Sequence, residues 1–267
     1  MKLLGLGCGP SRRQPEKASK QSRPGPGMTF RNQKVEGSNP SAPTISFHLP
    51  TLLSWGLAEP RNYQEVLDRG YIPGRDFRIA FADGNIARCL LVAPHGGGIE
   101  PGTSEILRAL SEFGWAWYEF AGFLRSGNKE ALHIARAQFD EPALITLLPR
   151  TNFVLAIHGA TDTGDPCVYV GGSWEAGRTA MTAAINAAFA THEIRAMEAP
   201  AHLGGTEPGC LANRGKLGRG IQLEFSRGAR NLLFPPDCSR EARGRRSPRL
   251  DALARAVHNG LKQLIPD

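Results

Sequence analysis

The sequence predicts an α/β fold in which one sheet is layered between helices. From about Tyr63 onward, short apolar runs alternate repeatedly with longer segments of helical periodicity. Several of those short runs are apolar throughout, as strands buried on both faces are. A chain of 267 residues with 41% hydrophobic content can also enclose one sizeable core.

The elements follow in order. Ser11 to Thr44 is rich in Pro, Gly, Ser and charge and poor in aliphatics, so burial cannot offset the entropy of ordering it. Residues 1–50 therefore read as a disordered leader, ahead of a domain over 60–267. Arg78 to Ala82 and Arg88 to Ala93 flank the turn-forming Asp83-Gly84-Asn85 and read as a hairpin or as neighbouring strands. Thr103 is placed to cap a helix carrying Ile106, Leu107, Leu110 and Phe113, which Gly114 would end. Trp115 to Phe120, Phe153 to Ile157, Cys167 to Val170 and Ile221 to Phe225 are further strand candidates. Ser173 is expected to cap an Ala-rich helix reaching about Ala190. Ser247-Pro248 should open a terminal helix with Leu250, Leu253, Val257, Leu261 and Leu264 on one face.

Net charge is +7, but its location decides its meaning. Residues 1–62 hold nine Lys and Arg against three Glu, leaving 23 basic and 22 acidic groups beyond them. The domain itself is nearly neutral and lacks the basic face of a nucleic-acid partner. Five widely spaced cysteines contain no C-x-x-C pair and read as reduced structural thiols, which fits a cytoplasmic chain. No run approaches the length of a membrane span, and no secretory signal is recognised.

The segment Leu91 to Glu105 runs from a buried strand into His95, three glycines, Glu100 and a helix start. Ligands in open α/β sheets gather at the carboxyl ends of strands. A second strand, Phe153 to Ile157, ends in His158-Gly159. Two imidazoles and the Glu100 carboxylate would make a ligand set suited to Zn²⁺ with an open position for water. The alternative is that each histidine is simply packed. His95-Gly96-Gly97-Gly98 also matches the oxyanion-hole motif of esterases, but that fold needs a G-x-S-x-G elbow, and the sequence has none.

Alternation within Gly220 to Ser226 places Gln222 and Glu224 on one face of a strand. Glu224 is either paired with Arg219 or Arg227, or a general base beside a metal-activated water. Asn213 and Arg214 offer an amide and a guanidinium suited to a substrate carboxylate, if they are more than surface groups. Arg240, Arg243, Arg245, Arg246 and Arg249 form a dense basic stretch that reads as a solvated loop rather than a polyanion track.

Together APHGGGIEPGTSE, LHIARAQFDEP, VLAIHG, VYVGG, LANRG and GIQLEFSRGAR resemble the poly-γ-glutamate hydrolase family of phage-type zinc enzymes. The resemblance spans about Tyr63 to Phe234. It implies a carboxypeptidase-like mixed β-sheet flanked by helices on both faces in a single domain, and cleavage of γ-glutamyl amide bonds. His95, Glu100 and His158 match the family's metal ligands, Glu224 its catalytic carboxylate, and Asn213 and Arg214 a carboxylate-holding pair. His133 and Asp140 fall in a matching motif without an assigned role. Where that motif usually continues with small hydroxyl residues, this chain has Ala135-Arg136-Ala137. The expected protein is a monomeric zinc hydrolase acting on an acidic glutamyl polymer or peptide, without nucleic-acid or membrane partners. Two other functions stay open, a zinc amidohydrolase of small peptides or N-acyl amino acids and a non-catalytic polyanion binder.

Overall fold

In the computed structural model the described residues are 58–161, 164–189 and 193–265, so the leader lies outside them. The first half of the fold comprises α1 (Tyr63–Asp68), β1 (Phe77–Ala82), β2 (Cys89–Gly97), α2 (Thr103–Ser111), β3 (Ala116–Gly122), α3 (Asn128–Leu132), α4 (Pro142–Leu147) and β4 (Phe153–Gly159). The second half adds β5 (Cys167–Gly171), α5 (Glu175–Ala188), β6 (Arg195–Glu198), β7 (Ile221–Phe225), α6 (Arg227–Leu233), α7 (Arg240–Arg243) and α8 (Pro248–Leu264). The seven strands form one mixed sheet in the order β1-β3-β2-β4-β7-β5-β6.

The apolar strands occupy the middle of this sheet because successive side chains enter different cores. Leu91, Leu155 and Leu223 pack with Leu107 and Leu110 of α2, Met181 and Ile185 of α5, and Leu253 and Val257 of α8. Leu90, Val92 and Val154 pack on the other side with Val66 of α1, Leu132 of α3 and Leu144 of α4. The strands β2, β4 and β7 run parallel as adjacent neighbours, so their carboxyl ends share one edge. That edge carries the candidate site.

Three local expectations need correction. The β1 and β2 strands are not a hairpin, because β3 lies between them and pairs with both. Their connection passes against the start of β3, where Gly84 has φ +36° and a Cβ would lie 2.7 Å from the Ala116 nitrogen. The turn-forming residues thus serve a close crossing. Helix α2 has Gly102 as its N-cap, and Thr103 Oγ1 instead donates to the His95 and Glu100 carbonyls, at 3.2 and 2.8 Å. Trp174 precedes α5, while the Ser173 hydroxyl donates to Asn213 Oδ1 at 2.8 Å.

The terminal helix follows its sequence signals. Ser247 Oγ accepts from the Leu250 amide and donates to the buried Leu233 carbonyl, and Pro248 is the first helical residue. Replacing Ser247 with Ala should cost about 1 kcal/mol through loss of the cap. Calorimetry should then show a melting temperature lower by about 2–4 °C, and no shift would contradict the capping role. No helix among the described residues is long and apolar enough to cross a membrane.

Candidate metal centre

A bulge near the carboxyl end of β2 aims the first imidazole. Ala93 registers with Glu119 and Gly96 with Ala121, so Pro94 and His95 together oppose Phe120 alone. Proline lacks the amide that a regular ladder would need there. The chain then turns at Gly97, whose φ is +66° and whose added Cβ would meet the Gly122 carbonyl oxygen at 2.3 Å. The Gly97 amide donates to Ser104 Oγ and the Gly98 amide to the Gly122 carbonyl, at 2.7 and 2.9 Å. With both donors used inside the fold, this loop is a support for His95 and Glu100 rather than an oxyanion hole.

Donor atoms from three separate segments converge. His95 Nδ1 lies 2.8 Å from Glu100 Oε1 and 3.2 Å from His158 Nδ1. His158 Nδ1 is 3.6 Å from Glu100 Oε2, which also accepts the Gly159 amide at 2.8 Å. All three side chains are buried. On its other edge His95 Nε2 is 2.8 Å from the Ile134 carbonyl. A carbonyl oxygen can only accept, so that nitrogen carries the proton and the neutral ring leaves its Nδ1 lone pair facing Glu100 and His158.

This geometry tests the fit of a cation. Burial pushes the His95 pKa down to about 4, keeping the ring neutral near pH 7. Burial also opposes the Glu100 charge, but His95, His133 and His158 outweigh it and hold the carboxyl well below its ordinary value. A divalent cation among His95 Nδ1, His158 Nδ1 and the Glu100 carboxylate would take the place of the protons these close contacts share, and two nitrogens with one carboxylate suit zinc. The buried His158 Nε2 has no hydrogen-bond partner among the described residues, so no such bond holds this ring by its far edge.

Thr103 ties the two ends of the His95–Glu100 loop together through its bonds to the His95 and Glu100 carbonyls. Thr103→Val keeps the side-chain shape and removes both bonds. If these residues hold zinc, its affinity, read by competition with a chromophoric chelator, should fall about tenfold, the low end for groups that position metal ligands. An unchanged affinity would contradict that role.

Glu224 stands across from this group. It registers directly with His158 on the neighbouring parallel strand, and Gln222 Nε2 donates to its Oε1 at 3.0 Å. Burial pushes its pKa up to about 7, a value suited to proton transfer near neutral pH. Burial disfavours charge on His158 too, yet the Glu224 and Glu100 carboxylates outweigh it and raise that pKa. Arg219, one of the two salt-bridge partners weighed for Glu224, lies over the rings of Phe153 and Trp174 instead.

The remaining sequence candidates are placed differently. The Asn213 Oδ1 accepts from the Ser173 amide and hydroxyl, and its Nδ2 donates to the Gly205 and Glu207 carbonyls. That amide is committed to joining three loops. Arg214 donates to the Phe139 carbonyl at 2.6 Å and lines a shallow cavity of about 360 Å³ with Ile145, Leu148 and Pro149. None of the converging donor residues lines that cavity. Asp140 is structural, accepting the Tyr63 amide at 2.7 Å.

His133, left without a role by sequence reasoning, joins the cluster. Its Nε2 is 3.5 Å from Glu100 Oε1, and its Nδ1 is 2.6 Å from Glu59 Oε2. Together His95, Glu100 and His133 also have donor atoms within 4.8 Å of one another. His158 Nδ1 lies 3.2 Å from His95 Nδ1 on a buried ring, so His133 and His158 are both candidates for a second nitrogen. A carboxylate holding one edge of a histidine while the other faces a metal group is the signal that could have found His133, but Glu59 lies 74 residues away. In the basic stretch, Arg243 pairs with Glu105, Arg245 with Glu241, Arg246 with Glu112 and Asp251, and Arg249 with Glu193. Those arginines do not form a free cationic track.

A family model described as poly-gamma-glutamate hydrolase matches residues 61–256, which include every member of this cluster except Glu59. The chain belongs to that family. Among poly-gamma-glutamate hydrolase relatives of known structure, a bacteriophage poly-gamma-glutamate hydrolase aligns with TM-score 0.71 and 28% identity over 76% of this chain and 96% of its own. The zinc-free apo form of YndL aligns with TM-score 0.68 and 28% identity, covering 76% and 97%. In sequence the chain is 36% identical over 147 residues to the SPbeta prophage-derived UPF0714 protein YoqZ of Bacillus subtilis strain 168, covering 55% of this chain and 52% of that protein. It is 36% identical over 152 residues to the UPF0714 protein YndL of the same strain, covering 54% and 56%. The matched region thus spans about half the length of these curated relatives.

Proposed function

We propose that this chain is a zinc-dependent hydrolase of γ-glutamyl amide bonds, with poly-γ-glutamate as its favoured substrate. The observation that carries this reading is the convergence of His95 Nδ1, His158 Nδ1 and the Glu100 carboxylate, with Glu224 facing them, in a poly-gamma-glutamate hydrolase family member. The structural likeness to YndL, a protein described in a zinc-free form, supports zinc as the metal.

His95, Glu100 and His158 would hold the ion. Zinc in that position supplies Lewis acidity, which polarises the amide carbonyl and makes water acidic enough to lose a proton near pH 7. Glu224 takes that proton on its carboxylate and delivers it to the leaving amine nitrogen. Gln222 holds Oε1 of Glu224 in place, and the Gly159 amide holds Oε2 of Glu100. His133, oriented by Glu59, forms an outer wall of the same site.

The test is incubation of zinc-loaded protein with poly-γ-glutamate and with small γ- and α-glutamyl peptides, followed by assay of newly freed amines. Release from the γ-linked polymer in preference to the small peptides is the expected result. Release only from small or α-linked peptides would overturn the substrate assignment, and no release from any of them would overturn the activity.

A further inference from the structure

The sequence around His133 contains Arg136 between two alanines, and the site just described gives that residue no part. The loop bearing it is anchored at the metal group, since the Ile134 carbonyl receives His95 Nε2 and His133 Nε2 lies beside Glu100. Two residues beyond Ile134, the half-buried Arg136 side chain reaches across to the segment after β6. There its Nη2 donates to the His202 carbonyl at 3.3 Å. The Cys210 Sγ, which also interacts with Arg136, lies 3.4 Å from Gln222 Oε1, and Gln222 in turn holds Glu224. A short series of neighbouring groups therefore runs from Arg136 to the candidate base.

A guanidinium has five N–H donors, and the contacts with the His202 carbonyl and the Cys210 sulfur use only part of them. Among the described residues no carboxylate pairs with Arg136, unlike the arginines between 243 and 249. The His202 carbonyl that Arg136 holds adjoins Leu203, whose own carbonyl accepts at 3.0 Å from the same Gln222 Nε2 that donates to Glu224, so the guanidinium lies beside the segment that backs the candidate base. Arg214, the guanidinium singled out by motif, lines a separate cavity that includes none of the converging donor residues. Every residue of a γ-linked glutamyl chain keeps a free α-carboxylate beside its amide bond. A planar, half-buried guanidinium with unused donors is a natural partner for that group.

We propose that Arg136 is the residue that binds the α-carboxylate of a γ-linked glutamyl unit at the scissile bond, and so determines specificity for γ-glutamyl over uncharged amide substrates. This rests on the γ-glutamyl reading of the site. Arg136 is a substrate-binding residue here, with no part in moving protons.

Two short γ-linked glutamyl oligomers distinguish the possibilities, one with free α-carboxylates and one with those groups converted to primary amides. Binding of each to zinc-loaded wild type, Arg136→Ala and Arg136→Lys is measured by calorimetry, alongside KM and kcat. Wild type should prefer the free carboxylate by about tenfold to a hundredfold, the range expected for a charge-assisted contact. Arg136→Ala should lose that preference through a weaker Kd and higher KM, with kcat changed little and zinc content unchanged. Arg136→Lys should recover part of it. Equal losses on both oligomers, or an unaltered preference in Arg136→Ala, would overturn the proposal, as would wild type failing to bind the carboxylate form. Arg136-dependent binding without cleavage would instead sink the hydrolase reading and leave the binding role standing.

Discussion

Glu224→Gln is expected to bind one zinc per chain as wild type does and to lose about 10²–10⁴-fold of turnover, the contribution typical of a positioned general acid–base group. The substitution is nearly isosteric, and a glutamine oxygen can still accept the Gln222 N–H that now reaches Glu224 Oε1. What it cannot do is take a proton from water and return it to the leaving nitrogen. The loss should therefore fall on kcat, with KM nearly unchanged. Full turnover in this variant would remove Glu224 from the mechanism. Loss of zinc together with turnover would make it a support of the metal group instead.

The second large effect is on metal content. His95→Ala removes the nitrogen whose lone pair faces both Glu100 and His158, and His158→Ala removes the other. Even outer partners of metal ligands contribute about 10–100-fold in affinity, so losing a direct ligand should cost more than a hundredfold. Elemental analysis after dialysis should find wild type near one zinc per chain and both variants nearly metal-free. Circular dichroism separates this from unfolding. A folded His95→Ala that keeps full zinc content would end the ligand assignment, and His158→Ala doing so while His133→Ala loses metal would transfer the second nitrogen to His133.

Much of this arrangement was legible before any coordinates. His95, His158 and Glu224 could be located because each sits near the carboxyl end of an apolar strand, and an apolar run interrupted by a polar group is a strong local signal. Glu100 followed from the glycine-rich turn beside it. The errors arose where one local signal served a distant partner. Thr103 and Ser173 stand where helix caps belong, but their hydroxyls bind the His95 and Glu100 carbonyls and Asn213. Asp83-Gly84-Asn85 turns the chain, yet neither periodicity nor turn chemistry could show that β3 enters between the strands it connects. The four-residue edge strand Arg195–Glu198 is too short and polar to show a pattern. His133 and Glu59 sit outside the regular elements, where spacing carries no directional information, and only the folded chain brings them together beside Glu100. The dense arginine stretch likewise takes its meaning from Glu105, Glu112 and Glu193, which are remote in sequence.

Diffraction from crystals of the zinc-loaded protein, recorded on both sides of the zinc absorption edge, examines the shared-cation claim directly. The account predicts one anomalous peak per chain in contact with His95 Nδ1, His158 Nδ1 and the Glu100 carboxylate, with Glu224 nearby but not bound to it. No peak among those three side chains, or a peak held elsewhere in the protein, would contradict it.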